Sequence, residues 1–222
     1  MSIHSAPRRL RLVLTGPPGS GKSTQAERLA AHFGLAHLST GQILREEVTR
    51  DSALGREAQR YMSEGHLVPS ALVNDIVQAA MHRLRTGGFV LDGYPRTVDQ
   101  ARALDGMLAE EGLSLDLAIH IDLPEAVAQA RLASRVVCLG CKTAYQRADL
   151  GATVTRCPKC GGALVHRADD SPEVIHERFV VYADMMTPVL DYYREQGRLR
   201  VVAGDGSLDM VADGVLAALP QS

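Results

Sequence analysis

A glycine-rich segment near the N-terminus has the residue types and spacing of a phosphate-binding loop. Residues 16–23, GPPGSGKS, satisfy the pattern G-x-x-x-x-G-K-[ST] and stand between a short apolar strand and a helical pattern. Glycines let successive backbone N–H groups converge on phosphate oxygens, and the N-terminus of the helix adds partial positive charge. A chance glycine turn is the alternative, but both flanking patterns fit the motif. We therefore predict a site for a nucleoside triphosphate.

The chemistry of this loop gives its side chains distinct roles. The Lys22 ammonium is expected to reach the β- and γ-phosphates, and a hydroxyl from Ser23 or Thr24 is expected to ligate Mg²⁺. The loop indicates nucleotide binding but leaves the reaction open. The predicted triphosphate site consists of Gly19, Ser20, Gly21, Lys22, Ser23 and Thr24.

Four cysteines form two pairs with the spacing of a zinc site. Two residues separate Cys138 from Cys141 and Cys157 from Cys160, and fifteen residues lie between the pairs. In a reducing compartment this spacing favours one zinc ion over two disulfides. Four thiolates complete the tetrahedral shell of a structural zinc and leave no open position for catalysis. We expect the metal to fold a segment that is too small to build a core.

A nucleic-acid-binding zinc ribbon is the alternative interpretation of this segment. Residues 136–173 contain five Lys or Arg against four Asp or Glu, and Tyr145 is their only aromatic residue. This near balance is a poor electrostatic footprint for a polyanion. The formal net charge of the whole chain, −2, provides no general basic field either. We therefore predict no nucleic-acid partner.

The length and composition are ordinary for a soluble globular protein. The 222 residues can form one substantial core with one or two small inserted units, and 45% are hydrophobic and 23% charged. The apolar run at residues 12–14 is far too short for a signal peptide or a membrane span. We therefore expect a cytoplasmic protein without a membrane partner.

Short apolar strands alternate with helical patterns along most of the chain. This alternation predicts an α/β fold with a parallel, doubly wound sheet, for which we expect five strands flanked by helices. Strands are predicted at 11–14, 89–91, 117–121 and 199–202, and helices at 23–33, 70–85, 98–111, 124–134, 172–196 and 208–219. We interpret the helical segment 40–68 and the cysteine-bearing segment 136–173 as insertions in a core formed by 1–39, 69–135 and 174–222.

Several motifs, in the same order along the chain, resemble those of the adenylate kinase family. They are GPPGSGKSTQA at 16–26, HLSTG at 37–41, GHLVP at 65–69, GFVLDGYPRT at 88–97 with Gln100, and RADD at 167–170 with Arg178. The resemblance covers the chain from residue 10 to about 208. It implies a P-loop kinase core with a monophosphate-binding insertion at 40–68 and a lid at 136–173, of the zinc-bearing type found in some bacterial members.

The resemblance implies an acceptor site for AMP. A guanidinium fork grips phosphate through two hydrogen bonds, which suits Arg45 and Arg96. A lone arginine is more often a surface ion-pair partner, but Arg96 follows an apolar strand, and open α/β sheets bind ligands beyond the carboxyl ends of their strands. The implied AMP-binding residues are Thr40, Arg45, His66, Leu67, Val68, Gly93, Tyr94, Pro95, Arg96, Gln100, Arg167 and Arg178.

The resemblance also implies a set of positive charges around the transferred phosphoryl group, in which Arg131 and Arg135 lie one helical turn apart. Asp92 is implied to hold Mg²⁺ through water, and a helix N-cap is the alternative for it. The implied catalytic residues are Lys22, Arg96, Arg131, Arg135, Arg167 and Arg178, and Arg131, Arg135, Tyr145 and Leu208 are implied to complete the ATP site.

The implied reaction is a reversible, Mg²⁺-dependent phosphoryl transfer from ATP to AMP that gives two ADP. The transfer is in line, forms no covalent intermediate, and takes place under a closing lid that excludes water. ATP, AMP and ADP are the expected partners of a monomer. The chain departs from the family pattern at Ser23, Gln42, Ser70 and Val136. Since Gln42 and Ser70 border the acceptor unit, a kinase for another acceptor is the alternative, although Thr40 and Gln100 favour adenine.

Overall fold

The computed structural model describes residues 9–63, 68–84, 87–141, 143–151, 153–166 and 172–220. Its strands are β1 (Arg11–Thr15), β2 (Ala36–Ser39), β3 (Phe89–Asp92), β4 (Leu117–Asp122), β5 (Arg135–Cys138), β6 (Ala144–Gln146), β7 (Leu164–Val165) and β8 (Leu199–Ala203). Its helices are α1 (Lys22–Phe33), α2 (Thr40–Thr49), α3 (Ala53–Ser63), α4 (Ser70–His82), α5 (Val98–Glu110), α6 (Glu125–Ala133), α7 (Arg147–Leu150), α8 (Pro172–Glu195) and α9 (Leu208–Ala218).

Five parallel strands form the central sheet in the order β2-β3-β1-β4-β8. β1 lies in the middle, where Val13 is in register with Leu91 of β3 on one side and with Ala118 of β4 on the other. The inner strands are continuous apolar runs because both faces of the sheet are covered. The predicted α/β fold with a five-stranded parallel sheet is confirmed.

Alternate residues of β1 pack into two separate core layers. Val13 belongs to a buried cluster on one face, which includes Leu104 of α5 and residues of α4 and α8. Leu12 and Leu14 belong to a second cluster, which includes Leu29 of α1 and residues of α9. This division follows from the two-residue period of a strand. The two layers fix α1 and α8 on opposite faces of the sheet.

Of the five strands in the central sheet, β2 is the one that the apolar pattern did not predict. Within the described residues it pairs with β3 alone, and of its residues AHLS only Leu38 is buried. An edge strand covered on part of its surface tolerates polar side chains, so its sequence carries little strand signal. In the β2–β3 register Ser39 lies level with Asp92. β2 therefore brings the start of α2 next to the carboxyl end of β3.

The segment 40–63 is helical, as the sequence predicted. α2 and α3 approach so closely that a Cβ on Gly55 would lie 2.0 Å from the Glu47 carbonyl oxygen, so only glycine fits there. The cysteine-bearing segment instead forms an antiparallel sheet in the order β6-β5-β7. These strands are two to four residues long, too short for a clear periodic signal. Among the described helices, none is long and apolar enough to cross a membrane.

Candidate active site

The glycine-rich loop connects the carboxyl end of β1 to the first residue of α1, Lys22. Gly19 and Gly21 have φ angles of +83° and +79°, in the left-handed region that favours glycine. A Cβ on Gly16 would lie 2.8 Å from the Ile121 carbonyl oxygen, so the loop also packs closely against β4. The buried Ser20 hydroxyl has no hydrogen-bond partner within the described chain. The loop therefore has the backbone geometry of a phosphate cradle.

Positive side chains converge on this loop. Burial lowers the pKa of Lys22, the carboxylate of Asp92 opposes this effect, and the charges of Arg96, Arg178 and Arg135 lower the pKa further. Lys22, Arg96 and Arg178 line one cavity of about 390 Å³, against one acidic lining residue, Glu177. This excess of positive charge around one cavity is suited to a ligand with several negative charges.

Asp92 ends β3 and is buried beside the start of α1. The Ser23 hydroxyl donates a hydrogen bond of 2.6 Å to Asp92 Oδ2, and His37 Nε2 lies 3.8 Å from the same oxygen. Burial alone would raise the pKa of Asp92, but His37, the Ser23 hydrogen bond and the charge of Lys22 outweigh burial and lower it. Asp92 is therefore held as a carboxylate.

The oxygens of Ser23 and Asp92 form a donor set that fits Mg²⁺, which prefers few carboxylates and keeps several waters. The alternative role of Asp92 as a helix N-cap is wrong. Thr97 is the N-cap of α5, because its side chain accepts the hydrogen bond of the Gln100 backbone N–H. The negative charge of Asp92 thus remains available for a cation at the loop.

The segment after β3 forms the opposite wall of the cavity. Gly93 has a φ angle of +81°, and a Cβ there would lie 3.3 Å from Arg96 Nη2 and 3.8 Å from Thr40 Oγ1. Arg96 Nε donates to the Gly93 carbonyl oxygen over 2.9 Å, and the Arg96 backbone N–H donates to Gln100 Oε1 over 2.7 Å. The Tyr94–Pro95 peptide bond is cis. Thr40, Arg96 and Gln100 are thereby brought together at the carboxyl edge of the sheet.

Other residues of the predicted sites lie around this centre. Arg45 Nη1 lies next to Gly41 on α2, and Val68 packs against the core. Arg131 Nη2 donates to the Gly206 carbonyl oxygen over 2.9 Å. The Leu208 carbonyl accepts from Gln25 Nε2 over 2.8 Å, and its side chain is exposed near the glycine-rich loop. His66, Leu67 and Arg167 lie outside the described residues.

The four cysteines converge on one point, and none is in a disulfide. Their Sγ atoms all lie within 4.8 Å of one another, with Cys138 and Cys160 3.4 Å apart and Cys141 and Cys157 3.6 Å apart. Thiolates at about 2.3 Å from a tetrahedral zinc would be roughly 3.8 Å apart, so the donor set fits this metal. A Cβ on Gly162 would lie 2.8 Å from Cys138 Sγ, which explains the glycine there.

Tyr145 lies in the cysteine cluster. Its hydroxyl is 3.1 Å from Cys157 Sγ, and Thr143 Oγ1 is 3.2 Å from Cys141 Sγ. Hydrogen bonds to ligand sulfurs orient the ligands and stabilise thiolate charge. The Tyr145 ring is half-buried, and its predicted contact with a donor nucleotide stays a prediction.

One polar network at the cavity was missed from the sequence. Thr15 Oγ1 and the Tyr182 hydroxyl are 3.0 Å apart, and the same hydroxyl lies 3.3 Å from His120 Nδ1. Tyr182 lines the cavity one helical turn after Arg178 on α8. Residues four apart lie on one face of a helix, so the spacing from Arg178 could have predicted Tyr182 at the same cavity.

These features define a class: a P-loop α/β protein with positive side chains around a cavity at the carboxyl edge of its sheet, and with four cysteines placed to hold a metal. The model of the adenylate kinase family matches residues 14–198. The adenylate kinase of Syntrophomonas wolfei is 45% identical over 92% of this chain and 96% of its own length. That of Symbiobacterium thermophilum is 41% identical over 96% of this chain and all of its own, and that of Thermodesulfovibrio yellowstonii is 42% identical over 95% and 99%. The chain belongs to the adenylate kinase family, and the prediction that it is an enzyme of this family is confirmed.

Proposed function

We propose that this chain catalyses reversible, Mg²⁺-dependent phosphoryl transfer from ATP to AMP, giving two ADP. The observation that carries the proposal is the convergence of Lys22, Arg96 and Arg178 on one cavity between the glycine-rich loop and the segment after β3. Such a cavity can hold a donor triphosphate and an acceptor phosphate end to end. The relatives that the chain resembles over nearly its whole length are named adenylate kinases.

The donor side is formed by the loop and α1. Backbone N–H groups of residues 19–24 and the Lys22 ammonium bind the β- and γ-phosphates, and Arg131, Arg135 and the backbone near Leu208 surround the rest of the donor. A bound Mg²⁺ would be held near the Ser23 hydroxyl and, through water, by Asp92, and it would supply charge neutralisation to the phosphates.

The acceptor side is formed by the start of α2 and the segment after β3. Arg96, with Arg45, grips the acceptor phosphate, while Thr40 and Gln100 hydrogen-bond the adenine. The acceptor phosphate itself attacks in line, so no side chain serves as nucleophile. The chain contributes alignment and fixed positive charge for the equatorial oxygens, to which Arg167 and Arg178 add.

The cysteine cluster holds a structural zinc in our proposal. Four sulfurs at tetrahedral spacing leave no coordination position for a substrate. Residues 136–173 then form a lid that closes over the donor and excludes water, so that transfer is faster than hydrolysis. Residues 40–68 form the AMP-binding unit, and the rest of the chain forms the core.

We also propose a cellular compartment and a set of partners for this chain. Four reduced cysteines suit a reducing compartment such as the cytoplasm. We expect a monomer with ATP, AMP and ADP as its partners, and no nucleic-acid partner. A zinc ribbon that binds nucleic acid is disfavoured by the near balance of charge in residues 136–173.

The test of the proposed acceptor is product analysis with ATP and Mg²⁺ and, in separate reactions, AMP, GMP, CMP or UMP. We expect fast conversion of AMP to ADP and little turnover of the other three. Preference for another monophosphate would assign the enzyme a different acceptor. Slow ATP hydrolysis that is the same with every acceptor would contradict the proposal.

A further inference from the structure

Two hydrogen bonds connect α4 to the acceptor wall of the cavity. Gln100 Nε2 donates to Ser70 Oγ over 3.2 Å, and the Tyr94 hydroxyl donates to Asn74 Oδ1 over 2.8 Å. Ser70 and Asn74 are four residues apart, so both lie on one face of α4. Neither residue has a role in the proposed transfer reaction.

Chemistry fixes the orientation of the Gln100 amide. The Arg96 backbone N–H can only donate, so the amide atom 2.7 Å away from it must be the oxygen Oε1. Nε2 therefore faces Ser70, whose hydroxyl must accept. The Gln100 side chain is buried, so loss of this acceptor would leave a buried N–H without its partner.

Tyr94 links the second contact to the same residues. The Tyr94 side chain is buried. Its hydroxyl donates to Asn74 and also lies 3.1 Å from the backbone carbonyl oxygen of Gln100. The residue that follows the Tyr94–Pro95 pair is Arg96, whose Nε donates to the Gly93 carbonyl oxygen. A displacement of Tyr94 or Gln100 would therefore be transmitted directly to the Arg96 guanidinium.

We infer that Ser70 and Asn74 are positioning residues for the acceptor site, and that Ser70 helps to set acceptor-base specificity by fixing the Gln100 amide. The inference rests on the proposed function, which places AMP against Gln100 and Arg96. A side-chain amide presents a donor group and an acceptor group. The edge of adenine is complementary to these two groups in one of the two orientations of the amide. Guanine presents a donor and an acceptor in the opposite sense, so a fixed amide favours adenine over guanine.

α4 also begins where the acceptor unit returns to the core. α2 and α3 precede it in the chain, and Ser70 is its first residue. The face of α4 that carries Ser70 and Asn74 thus joins the AMP-binding unit to the segment that grips the acceptor phosphate. The donor loop makes no contact with either side chain through the hydrogen bonds of the described residues. Loss of these contacts is therefore expected to affect AMP and to spare ATP.

The test compares Ser70→Ala and Asn74→Ala with wild type, with Ser70→Thr as the conservative rescue and Asp75→Asn as the control. Asp75 is exposed on the same helix. The readouts are the Kd of AMP by calorimetry, the KM values of AMP and ATP, and the melting temperature. We expect each alanine variant to raise the Kd and KM of AMP about tenfold, the loss typical of one buried hydrogen bond. The KM of ATP should change less than about twofold, within the spread of independent sites.

A second set of measurements compares kcat/KM for AMP with kcat/KM for GMP, as a test of acceptor specificity. Ser70→Ala should reduce the preference for AMP at least about threefold, a modest share of the discrimination that one paired amide provides. Ser70→Thr and Asp75→Asn should behave as wild type. An unchanged Kd of AMP in both alanine variants would overturn the inference. An equal loss of AMP and ATP binding with a lower melting temperature would also overturn it, because it would indicate a structural role alone.

The same experiment separates this inference from the proposed function. A wild-type protein that binds AMP but forms no ADP would contradict the proposed function, while the Kd values of the variants would still decide the roles of Ser70 and Asn74. A wild-type protein that does not bind AMP would overturn both.

Discussion

Lys22, Arg96 and Arg178 line one cavity although their charges repel one another. The two arginines and the burial of Lys22 all act to lower the pKa of the lysine. Assembling such a site weakens the folded state, and a bound polyphosphate offsets the effect by supplying negative charge. The side chains at this position are thus arranged for a ligand at some cost in stability.

Replacing Lys22 with Met tests this balance. The variant should bind ATP poorly, and its melting temperature without nucleotide should exceed that of wild type by roughly 2 °C or more. Because the pKa of Lys22 is lowered on folding, its destabilising effect is full below the folded pKa and disappears as pH rises to the unfolded value. The difference in melting temperature should therefore shrink in alkaline buffer.

Thermal melts with and without ATP and Mg²⁺, recorded across pH, check this expectation. ATP should raise the melting temperature of wild type but not of Lys22→Met. A variant that is less stable than wild type at every pH would contradict the electrostatic account.

Arg96 is expected to act through the geometry of its guanidinium as well as through charge. Arg96→Lys keeps the charge but loses the fork that can bind a phosphate through two hydrogen bonds and the Nε contact with Gly93. We expect the rate of ADP formation to fall at least about 100-fold with the fold intact. The matched control is Arg102→Lys, on the exposed side of α5.

Steady-state kinetics and circular dichroism of both variants measure these effects. Near-normal activity of Arg96→Lys would remove its proposed role. Equal losses in the Arg96 and Arg102 variants would show that the effect is not specific to the cavity.

At the scale of single elements, we expect the small antiparallel sheet to depend on a metal held by the four cysteines. β5, β6 and β7 contain two to four residues each, which is too little to build a hydrophobic core. We therefore expect metal binding to supply much of the folding free energy of this segment. The cysteine spacing alone was sufficient to predict the convergence that the structure has.

Cys157→Ser should remove the metal and lower the melting temperature by several degrees. Its rate of ADP formation at low temperature, where the fold is intact, should change little. Metal analysis of the purified proteins and thermal melts test this result. Chelation of wild type should reproduce the variant, and added zinc should restore wild type but not the variant. If Cys157→Ser kept the metal content and the melting temperature of wild type, the proposal that zinc stabilises residues 136–173 would be contradicted.

The elements differ in how far the sequence predicted them. The strands β1, β3, β4 and β8 have apolar runs that identify them directly, although β8 lies at an edge of the sheet and is only partly buried. β2 was missed because an edge strand with the residues AHLS has no such run. The strands β5–β7 were missed because they are short and are positioned by the cysteine cluster, which local propensity does not encode.

At the scale of the whole molecule, motifs distant in sequence meet at one edge of the sheet. Asp92 ends β3, and the loop that follows β1 lies beside it, because parallel neighbours place their carboxyl ends together. Sequence motifs and the family resemblance pointed to Lys22 and Arg96. The motifs and the resemblance did not predict Asn74 or Tyr182. The hydrogen bonds of these two residues join elements whose relative placement depends on packing.

Phosphoryl transfer from ATP to AMP is tested most directly by following the γ-phosphate of radiolabelled ATP. With AMP and Mg²⁺, we expect label to appear in the terminal phosphate of ADP and two ADP to form for each AMP consumed. No label should remain on the protein after denaturation, because the transfer forms no covalent intermediate. Label found only in inorganic phosphate, at a rate independent of AMP, or trapped on the protein, would contradict direct transfer from ATP to AMP.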